Sequence, residues 1–429
     1  MNTPNYWILL LAFACASSGS FAASSEKETA IAAPAALSAG PTLSENRDVG
    51  GGGYRFVLTN GETRVPVVVV GGTPYQMGWH LGHLMQAEIQ RYIPAALAGF
   101  QQRLQLSDDQ LDRVWATTAA YTDNRFAQEL VGLADGSGLP VRALQHVHCL
   151  PLLMPYSCSS IAAWGKATAD GHLYQTRDLD WDLEAGAHEF PALVVYLPLR
   201  GHAHVLPTFA GVIGANCGMS AAGVALSEMG DSPQREMPYV LQAPHFTTWF
   251  RTVLYDSSSL SDALAIFKGV PMTKRYHFVF GDGQVEHRAV KIRAHSPEPA
   301  ANRVRIWRDN DPTDEFAPNV LADVVYNDEG RGAFPTLKAE YGQLDGEKMM
   351  KLACSIPIHG GNVLDAIFDA TGLRLWVSYA GGKKEAYQRP FVFLDLTKLD
   401  GDHDGRPDLQ EGAKPAGDTG TPAFLDPAN

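Results

Sequence analysis

Apolar residues recur along the chain at two periods, and the change from one to the other divides it. Between Tyr75 and Leu97, Met77, Leu81, Leu84, Met85 and Ile89 return every three or four positions, the stripe of a helix with one buried face. Gly71-Gly72-Thr73-Pro74 opens that helix. Ser107 followed by Gln110 is a capping-box start for a second helix, and helical character from Ala127 to Ala134 stops at Asp135-Gly136-Ser137-Gly138. Ahead of these helices, residues 54–58 and 65–70 read as strands around a turn at Asn60-Gly61. After residue 158 short strand-like runs take over, at 159–164, 172–176, 192–197, 204–209, 223–227, 276–280, 289–292, 364–368, 373–379 and 391–395. Helices return at 259–267 and 346–353. Helices, then many strands with more helix inserted, predict stacked layers rather than regular βαβ alternation.

The ends change this picture. Residues 1–22 combine an apolar stretch from Trp7 to Cys15 with a small-x-small close at Ser20-Phe21-Ala22, the pattern of a secretory signal. Lipidation at Cys15 is the alternative, disfavoured by the bulky Phe13. Residues 23–53 are rich in Ala, Ser, Pro and Gly and read as a flexible leader. No later stretch is apolar for the roughly 18 residues that a membrane span requires. The absence of Asn-x-Ser/Thr sequons favours a bacterial exported protein, periplasmic or secreted. A net charge of −13 without lysine/arginine clusters excludes a nucleic-acid partner.

Without the signal, four cysteines remain: Cys149, Cys158, Cys217 and Cys354. That is too few for a disulfide scaffold in an exported chain of this length, so at least one is expected to do chemistry, two ordinary disulfides being the alternative. Cys158 stands out. It lies among small hydroxylated residues, Ser157-Cys158-Ser159-Ser160, and is followed by Arg177-Asp178-Leu179-Asp180. A cysteine whose own α-amine has been freed carries nucleophile and base in one residue, provided the peptide before it is cut.

The stretch Cys158 to Trp181 resembles the isopenicillin N acyltransferase group of N-terminal nucleophile hydrolases, relatives of the choloylglycine and penicillin V acylases. Further ordered landmarks resemble the same group: Gly72 to Gly82, Glu129 to Gly138, Gly218 to Val224, Phe278 to Gly283 and Ala366 to Val377. The resemblance implies an α+β fold, a four-layer αββα sandwich over residues 54–398. It also implies autocleavage between Ser157 and Cys158, with the cut N-terminal chain kept as a second subunit. By the same match Asp180 would hold the new α-amine of Cys158, and Arg177 would lower its thiol pKa. Two departures stand out: Ser157 replaces a frequent glycine, and Asp178 stands where asparagine is usual. The oxyanion donor is left to backbone amides or His277.

The acidic tail, 399–429, holds a further motif. Asp400, Asp402, Asp404, Asp408 and Glu411 occupy positions 1, 3, 5, 9 and 12 of a calcium loop, with Arg406 offering its carbonyl at position 7. Gly412 to Pro415 breaks the helix that would follow, so a lone structural Ca2+ loop is expected, and catalysis is expected to need no cofactor. The pairs His202/His204 and His146/His148 beside Cys149 have metal-like spacing but read as ordinary strand or loop residues, as does His359. These readings converge on an exported amidohydrolase or acyltransferase acting on a small-molecule linear amide. A lipid or ceramide-like deacylase is the enzymatic alternative, and a non-enzymatic calcium-binding envelope protein on a degenerate scaffold is the other.

Overall fold

In a computed structural model, the described residues are 52–154, 157–230, 240–268, 270–294, 304–328, 330, 332–356, 361–400, 408–411 and 423–424. The expected signal and most of the leader lie outside them. The first strand starts within the expected leader: Gly52 and Gly53 open β1 (Gly52–Asn60), which turns at Gly61 into β2 (Thr63–Gly72).

The stripe between 75 and 97 belongs to two helices. α1 (Pro74–Leu84) starts on a capping box in which Thr73 Oγ1 accepts from the Gln76 amide and Gln76 Oε1 accepts from the Thr73 amide. The chain breaks at Met85 before α2 (Gln86–Leu104). α3 (Asp108–Ala119) begins on the expected Ser107/Gln110 box, and α4 (Asn124–Ser137) ends at Gly138 with φ of 75°. α5 (Val141–Leu153) follows.

Two resembling landmarks, 72–82 and 129–138, prove to be one contact. Gly78 and Gly82 of α1 press against Gly132 and Gly136 of α4 so closely that a Cβ on Gly132 would stand 2.0 Å from the Tyr75 carbonyl oxygen. Glycines four apart on each helix let the two backbones touch.

Beyond Cys158 the chain builds β3 (Ser157–Ala163), β4 (Tyr174–Asp180), β5 (Pro191–Pro198), β6 (His204–Phe209), β7 (Cys217–Ser220) and β8 (Val224–Met229). α6 (Phe246–Asp256), α7 (Leu260–Phe267), β9 (Tyr276–Asp282), β10 (Arg288–Ala294), β11 (Val304–Trp307) and β12 (Val324–Asn327) come next. α8 (Ala333–Ala339), α9 (Gly346–Ala353), β13 (Asn362–Asp369), β14 (Arg374–Tyr379) and β15 (Val392–Asp395) complete the layers.

Nine strands form one sheet in the order β1-β2-β5-β6-β7-β8-β9-β10-β11, antiparallel except for β2 against β5. Six form the other, β12-β3-β4-β13-β14-β15, antiparallel throughout. The sheets pack face to face through β3 and β4 on β8, while α1, α6 and α7 cover the outer face of the first and α9 that of the second. This is the expected α+β, four-layer αββα arrangement. Both faces of each sheet are covered, which is why its strands are buried along their length rather than on alternate residues.

Candidate active site

β3 places Cys158 at the heart of the inter-sheet core, with no exposed surface. Strand alternation sorts the surrounding residues by face. Cys158 lies directly opposite Leu179, and Ser159 opposite Asp178. Cys158, Arg177 and Leu179 therefore look into the space between the sheets, while Ser159 and Asp178 look towards α9.

On the inner face, Arg177 stands 3.8 Å from Glu228 of β8, both fully buried. Burial pushes the Cys158 thiol well above its ordinary pKa. Arg177 pulls it down, Glu228 and Asp180 push it up, and a backbone hydrogen bond at Asp180 pulls it down again. Arg177 thus acts in the expected direction but does not win in the uncut chain: Cys158 is a protonated thiol, not a thiolate.

Asp180 ends β4 directly opposite Ser157, at the level of the Ser157–Cys158 peptide. Asn362 Nδ2 donates to its Oδ1 at 3.2 Å and to Asp365 Oδ1 at 2.6 Å. Asp365 is in turn opposite Asp178, whose Oδ2 accepts from Ser159 Oγ at 2.7 Å. Burial and then the Asp178 charge push the Asp365 carboxyl well above the ordinary carboxylate range.

Beside Leu179 opens a pocket of about 680 Å³, its mouth included. Its walls are mainly apolar: Tyr92 of α2, Val147, Leu150 and Pro151 of α5, Leu179 and Trp181 at the end of β4, Phe209 at the end of β6 and Val212 after it, and Phe246 of α6. Trp181 is held by stacking on Phe100 at 5.5 Å. The polar side chains in the wall are His148, Asn216 and Thr247.

Two asparagines were missed in the sequence. Asn216 lines the pocket immediately before β7. Asn327 ends β12 opposite Ser160, on the same face as Cys158, and its Oδ1 has no hydrogen-bond partner among the described residues. Neither sits in a motif; only the pairing of β12 with β3 brings Asn327 near. His277 is elsewhere: its ring packs against Phe316 at 4.5 Å and Trp307 at 6.4 Å and does not line the pocket.

Cys149, Cys158, Cys217 and Cys354 are all free thiols, so the two-disulfide alternative is not what the structure shows. His148 and His204 are buried, His146 pairs with Asp112, and among the described residues no group of three or more His, Cys, Asp or Glu could hold a metal ion. Asp402, Asp404 and Arg406 of the calcium-type loop, and His359, lie outside the described residues. At the loop's ends, Asp400 pairs with Ala423, and Asp408 Oδ2 accepts from Tyr54 Oη at 2.6 Å. The helix Asp408–Glu411 closes it.

Protein dcd1B of Dictyostelium discoideum is 30% identical over 400 residues, covering 81% of this chain and 77% of its own. This chain belongs to the dcd1B family. A second relative, Protein dcd1A of the same organism, is 24% identical over 401 residues, covering 78% of this chain and 86% of its own. An uncharacterized protein of Archaeoglobus fulgidus is 25% identical over 286 residues, covering 60% of this chain and 47% of its own. No family model matches.

Among solved structures, the dcd1B-family chain is similar to the Caenorhabditis elegans ortholog of N-acylethanolamine-hydrolyzing acid amidase, with 14% identity and a TM-score of 0.38 over 55% of this chain and 100% of that one. Penicillin V acylase from Agrobacterium tumefaciens gives 12% and 0.36 over 56% and 87%. A variant of conjugated bile acid hydrolase from Clostridium perfringens gives 9% and 0.40 over 63% and 100%. These likenesses are remote, and the layering rests on the strand pairings and contacts above.

Proposed function

We propose that this protein is an N-terminal nucleophile amidohydrolase or acyltransferase that cuts its own Ser157–Cys158 bond and then cleaves linear amides bearing an apolar acyl group. The observation that carries this reading is the division of labour around one peptide bond. Arg177 shares the face of the Cys158 side chain, Asp180 stands at the bond itself, and an apolar pocket opens beside Leu179.

In maturation the Cys158 thiol, on losing its proton, attacks the Ser157 carbonyl carbon. The C–N bond breaks, the nitrogen takes up the proton as the Cys158 amine, and a thioester remains on Sγ. Water hydrolyses that thioester, leaving a Ser157 carboxylate and a free thiol. In turnover the new α-amine accepts the thiol proton, and the thiolate attacks the substrate carbonyl. The proton passes to the leaving amine as the amide C–N bond breaks. Water gives hydrolysis of the acyl-enzyme; a second amine gives acyl transfer. Asp180 holds the protonated amine, Arg177 favours the thiolate, and the amide groups of Asn216 and Asn327 take the role of oxyanion donors. His277 drops to a packing residue.

Among the described residues the pocket walls carry no carboxylate, lysine or arginine, which fits an uncharged acyl chain and favours the deacylase variant of this reading over a polar peptide substrate. An acid amidase, an acylase and a bile acid hydrolase among the remote structural neighbours agree with it without carrying it. Export through residues 1–22 and a structural Ca2+ at 400–411 belong to the same proposal. Calorimetry with calcium on wild type and Asp402→Ala checks the latter, and equal heats remove it. For the activity, purified protein is assayed against N-acyl amides of graded chain length. Hydrolysis abolished by Cys158→Ala supports the reading; a folded protein inert towards the whole series overturns it.

A further inference from the structure

The segment 210–216, which joins β6 to β7 and presents Val212, Gly214 and Asn216 to the pocket, has no regular structure of its own. It is nevertheless gripped by three backbone contacts, two at Ile213 and one at Ala215. The Ile213 carbonyl accepts from Arg251 Nη1 at 2.7 Å. The Ile213 amide donates to His148 Nε2 at 2.9 Å, and the same ring donates from Nδ1 to the Leu144 carbonyl at 2.6 Å. The Ala215 amide donates to the Thr247 carbonyl at 3.0 Å. Arg251 is itself locked: its two terminal nitrogens reach Glu129 at 3.1 and 2.7 Å, Nη2 reaches Tyr255 Oη at 3.0 Å, and the guanidinium lies over the Tyr196 ring at 4.1 Å.

A fully buried ion pair is poor evidence of stability, because desolvation offsets the attraction, and apolar residues of similar size would often serve as well. What an apolar pair would not supply is a charged donor fixed on a loop carbonyl. We propose that Glu129, Arg251 and His148 are positioning residues that lock segment 210–216, so that Asn216 meets the carbonyl of a bound substrate at a fixed distance. This rests on the reading of Asn216 as an oxyanion donor. Glu129 and His148 precede Cys158 and Arg251 follows it. After self-cleavage the N-terminal chain would therefore hold the pocket loop of the other chain from α4 and α5, and activity would require that chain to stay bound.

The test uses the full chain with Glu129→Leu and Arg251→Met combined, which removes both charges together and leaves neither buried alone. Hydrogen exchange followed by mass spectrometry reads peptides over 210–216 without any substrate. The expected result is a melting temperature near wild type, exchange in that segment faster by about tenfold or more, and kcat lowered by up to about 10²-fold, the cost of a misplaced catalytic group. Arg251→Lys, which cannot span Glu129 and the Ile213 carbonyl with one fork, should fall between. It carries the test alone if the double variant does not fold. Unchanged exchange over 210–216 in the folded variant, with kcat and KM within twofold of wild type, overturns the proposal. A wild type inert on every amide but loosened by the substitutions would sink the amidase reading and leave the clamp standing.

Discussion

Ser157 lies directly opposite Asp180 across β3 and β4, and the Asp180 carboxylate is turned by the amide of Asn362, 3.2 Å away. A carboxylate beside the proposed scissile bond has work in both stages, steering the nitrogen that leaves and holding the amine that results. Asp180→Asn is expected to fold, with maturation slowed by about 10²-fold or more, in line with the loss of a preorganised charge at a reacting centre. A time course of chain cleavage on a denaturing gel checks it, and wild-type cleavage kinetics would remove Asp180 from the mechanism.

The glycines between α1 and α4 make a separate prediction about folding. A methyl group on Gly132 would sit 2.0 Å from backbone, where no rotamer change can relieve it, whereas one on Gly99 of α2 meets nothing within 4 Å. Gly132→Ala should cost about 3 kcal/mol or more, and Gly99→Ala should gain roughly 0.5–1 kcal/mol from helix propensity. Denaturant melts of the two variants suffice. Equal, small effects would show that the helices do not touch through these residues.

Acid should weaken the fold through buried histidines. Burial holds His148 down to about 4 and His245 to about 3, with nearby cations adding to the effect. Both are neutral acceptors, from the Ile213 and Thr247 amides respectively. Their folded pKa values lie below the unfolded value, so the stability they contribute is present above pH of about 6.5. It is lost progressively as pH falls towards 4 and then 3, because there the unfolded chain binds more protons. His148→Gln should flatten the upper part of that decline. Melting temperature against pH from 7.5 to 4 tests this, and a flat curve would contradict it.

On the proposed function, the pocket walls would set chain length. Val212→Trp is expected to lower kcat/KM for long-chain amides by about tenfold or more while sparing short ones, the scale on which a few methylenes in an apolar pocket are discriminated. Self-cleavage should be unchanged. A uniform loss across the series would place the acyl group elsewhere.

Much of this was legible in the sequence, for identifiable reasons. Short-range chemistry was: the Ser107/Gln110 box, the Gly138 stop, and the coupling of Cys158 to Arg177 and Asp180 through a single hairpin. Periodicity could not show the break at Met85, since both helices bury the same stripe. Asn327 needed long-range pairing, because its partner Ser160 lies far earlier in the chain, and the Asp178–Asp365 pair likewise joins distant strands. Arg251 carried no motif, and although Glu129 lies in a landmark and His148 in a histidine pair, only burial and the contacts that lead to Ile213 reveal what these residues hold. Burial also sets a balance that sequence spacing does not show: Arg177 pulls the Cys158 thiol down as expected, and in the uncut chain desolvation outweighs that pull.

Intact mass with N-terminal sequencing of the purified protein tests most directly whether the Ser157–Cys158 bond is the maturation site. Two chains held together without a covalent link are expected, the second beginning at Cys158, and a single chain for Cys158→Ala. A folded wild type that stays one chain, or one cut at a different bond, would contradict it.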